Sequence, residues 1–362
     1  MDKNDTMQQK CQVAVYYFPN WHPSDWNARS YGPGNSEWVT VKKAKPRFNG
    51  HQQPKVPLWG YEDESSPEAM EKKITAAAEH GVDAFIYDWY WWENGASLEA
   101  CLEKGYFNAK NNTRVRFGIM WANHAPVSRQ AFDRAVDHMV VEYFNHPACW
   151  KIDGKPYFSI YELYTLLKGL GGWDEVRRAI DSLRDKTLKA GLPGLHLNAV
   201  EWGLRNLSDP SFENQLKLIQ DLGIDSITDY VWVHHVSTPG FPENRYADIA
   251  QKAYADWDRF AAAYPVPYHP NVTMGWDSWP RVPADVPFAP GAYPATPLIT
   301  GNPPSEFKKA LAKVKQWLEQ PAVKQKIFTI NAWNEWTEGS YLEPDTQYGM
   351  GYLEAIREVF GK

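Results

Sequence analysis

A chain of 362 residues has room for one large domain or two ordinary ones, and 43% hydrophobic with 23% charged residues is a globular composition. A net charge of -6 provides no basic footprint for nucleic acid or an anionic membrane surface. Eighteen Trp and twenty Tyr are the unusual feature: rings with an apolar face and a polar edge suit surfaces that hold sugars, although part of such a set must fill a core.

Short β-type runs alternate with amphipathic helical runs along the whole chain. VAVYYF (13–18) predicts the first strand and AMEKKITAAAEHG (69–81) the first helix, closed by Gly81. DAFIYDWYW (83–91) leads to a short helix at 97–105, and VRFGIMWAN (115–123) to a helix at 129–144. PYFSIYE (156–162) precedes a helix at 174–191, and HLNAVEW (196–202) one at 213–223. DSITDYVWV (225–233) precedes 245–264, NVTMGWD (271–277) precedes 305–320, and KIFTINAW (326–333) precedes the closing helix at 348–360. Eight strand-then-helix units predict a parallel sheet closed as a single (β/α)₈ TIM barrel over 1–362, with residues 1–11 a flexible N-terminal segment. An open doubly wound sheet would carry a Gly-rich phosphate turn after its first strand, and YYFPNWHP is not one. Two long βα connections, 19–66 and the Pro-rich 277–303, are expected to build a cleft at the C-terminal face.

Cys11, Cys101 and Cys149 are widely spaced without a CxxC pair, which argues against a disulfide framework or a zinc ribbon. No run approaches a membrane-spanning helix, and MDKNDTMQQKCQ lacks the apolar stretch of a signal peptide. Both a cytoplasmic chain and the mature form of an exported one fit that start.

Almost every predicted strand ends in aromatic or polar residues, where a barrel places its active site. Candidates for sugar contact are Tyr17, Asp88, Trp89, Trp121, Asn123, Tyr161, Glu201, Trp202, Trp232, His234, Trp276 and Asp277. His234 and His235 with Asp229 are of metal-ligand type, but no further ligand stands at a suitable spacing, so no metal or other cofactor is expected. The densest stretch is NAWNEWTEGSYLEPD (331–345), with Trp333, Asn334, Trp336 and Tyr341 set among Glu335, Glu338, Glu343 and Asp345. With Phe328, Ile330 and Ala332 facing the outer helices, a period of two puts Thr329, Asn331, Trp333 and Glu335 on the inward side. Glu338 follows after a short turn. Two carboxylates beside aromatic rings fit glycosidic bond cleavage, one as acid and the other as base or nucleophile; two Glu three apart also occur on solvated helix faces.

Trp333-Asn334-Glu335-Trp336-Thr337-Glu338-Gly339 with Leu342-Glu343-Pro344 resembles the signature of glycoside hydrolase family 99 and its WbsX-like relatives. The likeness continues in Tyr16 to Pro19 followed by His22-Pro23, in Ser36-Glu37-Trp38, in His51 to Pro54, in Trp121 to Asn123 and in Tyr348-Gly349. It adds Trp21, His22, Glu37, Trp38 and His51 to the candidate glycan contacts. The resemblance implies a retaining, endo-acting α-glycosidase for manno- or rhamno-configured sugars. In that route Glu335 deprotonates the sugar's own 2-hydroxyl to form a 1,2-anhydro sugar, and Glu338 is the acid/base. The sequence departs from the pattern at His124, where WbsX-like proteins usually carry Glu, and at Thr337, where family 99 tends to His. WbsX-like proteins are also described as glycosyltransferases, which is the alternative; a donor diphosphate would need cations, and Arg281 is the one near the rim. A glycan-binding barrel without catalysis is a further alternative, against which stand the two retained Glu. The expected partner is a glycan substrate.

Overall fold

The computed structural model describes residues 10–205 and 212–361. Most of the flexible segment expected over 1–11 therefore lies outside the described residues. Eight strand positions form a parallel barrel: β1 (Gln12–Tyr17), β2 (Ala84–Trp92), β3 (Arg116–Trp121), β4 (Lys155–Ile160), β5 (His196–Val200), β6 (Ser226–Thr228), β7 and β8 (Ile327–Asn331). β7 is two short pieces, Tyr268–His269 and Asn271–Thr273, divided by Pro270, which has no N–H to give the ladder. Its first piece pairs with β6 and its second with β8. β1 lies between β2 (Ala14 opposite Ala84) and β8 (Val13 opposite Phe328), so the first and last strands meet and the sheet closes.

Helices cover the outside in the expected order. Pro67–Glu79 starts with Ser66 accepting from the Ala69 N–H and with Pro67 in the first turn, where a missing N–H costs nothing. Arg129–His138 is capped the same way by Ser128 and runs on into a wider π-type turn, Met139–Phe144. The helix expected over 97–105 is only such a turn, Cys101–Tyr106.

Several strands are shorter than their apolar runs predict, among them β7, which ends at Thr273 rather than reaching Asp277. β5 stops at Val200, and Glu201–Arg205 form a short helix in which Glu201 accepts from Arg205 Nε at 2.6 Å. β6 stops at Thr228, because the next residues find partners away from the ladder: Asp229 takes the Tyr268 hydroxyl, and the Trp232 N–H donates to Thr273 Oγ1 at 2.9 Å. Apolarity marked these segments as buried but did not specify strand, since buried turns are equally rich in aromatics.

The two long loops carry their own apolar clusters. Trp21, Trp38 and Val41 pack with Trp336 and Tyr341 beneath the loop after β1. Trp279, Val282 and Leu298 do the same in the loop after β7. Arg47 ties the loops together, donating to the carbonyl oxygens of Val282 at 2.8 Å and Pro283 at 2.7 Å. The barrel's C-terminal mouth is thereby walled by two mutually anchored loops.

Candidate active site

β8 ends at Asn331, so the period of two does not continue to Glu335. Asn334–Glu335 instead form a two-residue hairpin with Ser340–Tyr341, closed by a turn at Trp336–Glu338. Gly339 completes that turn at φ 63°, and a Cβ there would lie 2.8 Å from the Asp277 Cβ. The hairpin delivers Glu335 and Glu338 to one cavity of about 730 Å³ over the strand ends.

The other acidic residues of the stretch are scaffold. Glu343 accepts the indole N–H of Trp333 at 2.9 Å and of Trp336 at 2.7 Å. The ammonium of buried Lys73 sits between Glu343 and Glu64, and Glu64 in turn accepts from Asn334 Nδ2 at 3.0 Å. Asn334 closes the unit by exchanging hydrogen bonds with the Phe18 backbone at 2.8 and 2.9 Å. Burial and Glu343 raise the Glu64 carboxyl pKa while Lys73 opposes them; burial works against the Lys73 ammonium, but the two carboxylates keep it charged. Asp345 accepts the Tyr341 hydroxyl at 2.8 Å.

Arg281, from the loop after β7, organises the cavity. Its guanidinium donates through Nη2 to Glu335 Oε2 at 3.2 Å, through Nη1 to Glu338 and through Nε to Glu37 Oε1 at 3.1 Å. Tyr293 adds its hydroxyl to Glu338 Oε1 at 2.7 Å. Glu37 is held further by Asn20 Nδ2 at 2.7 Å and the Thr337 hydroxyl at 2.6 Å. One cation among three carboxylates leaves excess negative charge in a desolvated place. Burial first, then Glu338, pushes the Glu335 carboxyl well above the usual range, with Arg281 only partly offsetting them. Deeper in, Asp88 accepts the Tyr230 hydroxyl at 2.9 Å, while its buried Oδ1 has no partner among the described residues. Burial raises the Asp88 carboxyl pKa as well. Two histidines in the wall are held neutral: burial and Arg281 lower His124, and burial, His235 and Arg205 pull His234 down to about 3.

Of the residues singled out in the sequence, Asp88, Tyr161, Trp202, His234, Trp276, Glu335 and Glu338 line this cavity. His51, Asp277 and Tyr341 line a neighbouring one of about 400 Å³, with His51 Nε2 against Asp277 Oδ2 at 2.8 Å. Glu37 stands behind Arg281. Tyr17, Trp89, Trp121, Trp232 and Trp333 are packed in the barrel core, and Trp21, Trp38 and Trp336 in the loop cluster. Trp333, placed on the inward side by strand periodicity, packs on Phe85 instead, at 5.0 Å between ring centroids. His22 is buried with neither ring nitrogen hydrogen-bonded. Asn123 bonds the Glu162 backbone and Thr165, Asn334 belongs to the scaffold, and Glu201 answers Arg205 and the Tyr264 hydroxyl. His235, considered as a metal-type residue, lies between Asp229 and Asp256.

Arg281, expected near the rim, lines the wall, as do Trp26, Tyr90, Trp92, Tyr230 and Tyr293, which the candidate contacts did not include. Arg281 had a readable signal, being the only Lys or Arg between residues 277 and 303. Tyr90 and Trp92 follow Asp88 at steps of two on β2, so the period of two could have placed them with it, whereas Trp26, Tyr230 and Tyr293 lie outside the strands, where no period of two applies.

The fold is a parallel (β/α)₈ barrel, and its strand-end cavity holds clamped carboxylates between aromatic walls. The chain belongs to the WbsX family, whose description is Glycosyltransferase WbsX and which matches residues 13–356. The WxcX proteins of two Xanthomonas campestris pv. campestris strains, B100 and ATCC 33913, are 26% identical across 96% of this chain and 49% of their own length. The chain thus spans about half the length of the curated relatives it matches. Among solved structures, the GH99 endo-alpha-mannosidase from Bacteroides thetaiotaomicron superposes with a TM-score of 0.55 at 18% identity, covering 96% of both chains. A glycoside hydrolase-like protein superposes at 0.61 with 13% identity, covering 98% of this chain and 94% of its own. At such identities the likeness is one of fold.

Proposed function

We propose that the cavity is a glycosidase active site that cleaves α-linked, manno- or rhamno-configured polysaccharide chains internally and with retention, using Glu335 and Glu338 as paired acid–base groups. The observation that carries this is the pair itself: two carboxylates joined by the two ends of one guanidinium, in an aromatic cavity at the mouth of the barrel.

In the route that the family 99 resemblance implies, Glu335 takes the proton of the sugar 2-hydroxyl while that oxygen attacks the anomeric carbon. Glu338 gives its proton to the departing glycosidic oxygen. Water then opens the 1,2-anhydro ring, losing a proton to Glu338, and Glu335 returns its own to the 2-oxygen. Burial and Glu338 favour the neutral form of Glu335 in the protein itself. Sugar hydroxyls donating to Glu335 favour its carboxylate form.

The test is reducing-end release from polysaccharides rich in mannose or rhamnose, comparing wild type with Glu335→Gln and Glu338→Gln, and product NMR for the anomeric outcome. Release lost in both variants supports the reading; glycan that binds but is never cut by the wild type overturns it. The family description favours a second reading, transfer from a sugar nucleotide. Against it, Arg281 is the one Lys or Arg lining the cavity among the described residues, and its guanidinium already serves three carboxylates. Consumption of a sugar-nucleotide donor in the presence of an acceptor glycan would favour transfer.

A further inference from the structure

The sequence KKAKPR, residues 42–47, sets four cations in six positions with no acid, in a chain whose net charge is -6. The stretch lies at the end of the helix Trp38–Lys43 and in the loop beyond it, beside the cavity described above. Over the saddle formed by Arg281 and Tyr293 lies a second basin of about 810 Å³. Asn20, Trp26, Arg281 and Tyr293 belong to both walls, so the two spaces adjoin along Arg281 and Tyr293, the residues that hold Glu338.

The two basins differ in charge. The first holds Asp88, Glu335 and Glu338 against a single Arg. The second is lined by Lys43, Lys45 and Arg47, and its only lining carboxylate among the described residues is Glu37, which is ion-paired with the Arg281 that it shares with Glu335 and Glu338. Lys43 and Lys45 are exposed and, among the described residues, form no ion pair. Arg47 keeps its charge while donating to backbone carbonyls, which fixes one cation in the wall. Between the basins stands Trp26, 42% exposed and stacked on Trp92 with ring planes 3° apart and centroids 5.4 Å apart. A rigid indole platform with an open face is a sugar-stacking surface.

We propose that the glycan chain runs across the Arg281–Tyr293 saddle and that the second basin takes a sugar bearing a carboxylate, so that the substrate is an acidic polysaccharide cut at a neutral residue. This rests on the glycan reading of the cleft. It reverses what the net charge alone would say, because ligand attraction is set by the local field. A chain occupying both basins also accounts for internal cleavage.

The experiment measures binding to the Glu338→Gln protein by isothermal titration, with an oligosaccharide of alternating mannose and glucuronate and with the same material after carboxyl reduction. The acidic form is expected to bind about 10-fold tighter at low ionic strength, and raising the salt should shrink that ratio. In Lys43→Ala/Lys45→Ala made on the same background the ratio should collapse toward about one, with thermal melting checking that the fold is kept. Equal binding of the two oligosaccharides, or a preference that survives the double substitution, overturns the basin while leaving the cleft reading standing. Failure of both oligosaccharides to bind, together with no release from any glycan by the wild type, overturns both.

Discussion

Two clusters of buried charge lie on either side of the same hairpin, and they are built to opposite rules. Around Lys73 the cation meets two carboxylates, and those carboxylates also take the indole N–H groups of Trp333 and Trp336 and the amide of Asn334. Around Arg281 the cation meets three carboxylates, a fourth carboxyl at Asp88 keeps an unpartnered oxygen, and the space beside them is open. A buried ionic network with its acceptors filled is scaffold; one with excess charge and free acceptors facing a cavity is prepared for a ligand that brings donors. Sequence proximity hides this division, because Glu335, Glu338 and Glu343 stand within nine residues of one another.

Substitutions on the two sides should separate the clusters. Glu335→Gln or Glu338→Gln is expected to cut glycan release by about 10²–10⁴-fold, the range of a lost acid–base group, while leaving the melting temperature close to wild type. Lys73→Met should do the reverse in kind: it strands two buried carboxylates and is expected to cost about 3–5 kcal/mol of stability, measured by denaturant unfolding. If Lys73→Met melted like wild type, the scaffold reading would fail. Gly339→Ala sits between the two effects. Its φ of 63° and the 2.8 Å approach to Asp277 predict about 1–3 kcal/mol of destabilisation, with activity falling as the hairpin shifts Glu338.

The smallest effect is in the pH dependence. A carboxyl whose folded pKa is raised contributes stability that is fully present below its ordinary value, near 4.5 for Glu335, and lost as the pH rises through the raised folded value. The stability difference between Glu335→Gln and wild type should therefore grow in the variant's favour across that climb. Parallel melts at pH 4 and above pH 7 read it; a difference independent of pH would mean that Glu335 titrates as an ordinary surface carboxylate.

The alternation of strands and helices was legible because each element leaves a local period. The (β/α)₈ barrel follows from counting those periods. The hairpin acids were legible as a cluster, since four carboxylates among indoles fit neither a solvated turn nor a dry core. Less legible was the fate of each aromatic residue. Trp21, Trp38 and Trp336 are expected among the sugar contacts and instead form the packing under the first loop, while Trp26, within that loop, lines the cavity. An indole has the same local preference in either place, and the partner that decides lies far along the chain, as Trp38 and Trp336 do.

By itself, then, the sequence determined the element order, the barrel and the cluster of acids at 335–345, all of which are written in neighbouring residues. The tertiary structure decided which of those acids are ligated by Lys73 and which by Arg281, and where the strands at Val200 and Thr228 give way to turns. It also joined the basic run at 42–47 to the rim of the cavity. Most of those outcomes depend on contacts between residues distant in sequence, 41 positions apart for Trp232 with Thr273, 57 for Arg281 with Glu338 and 270 for Glu64 with Asn334, and no local period encodes such a pairing.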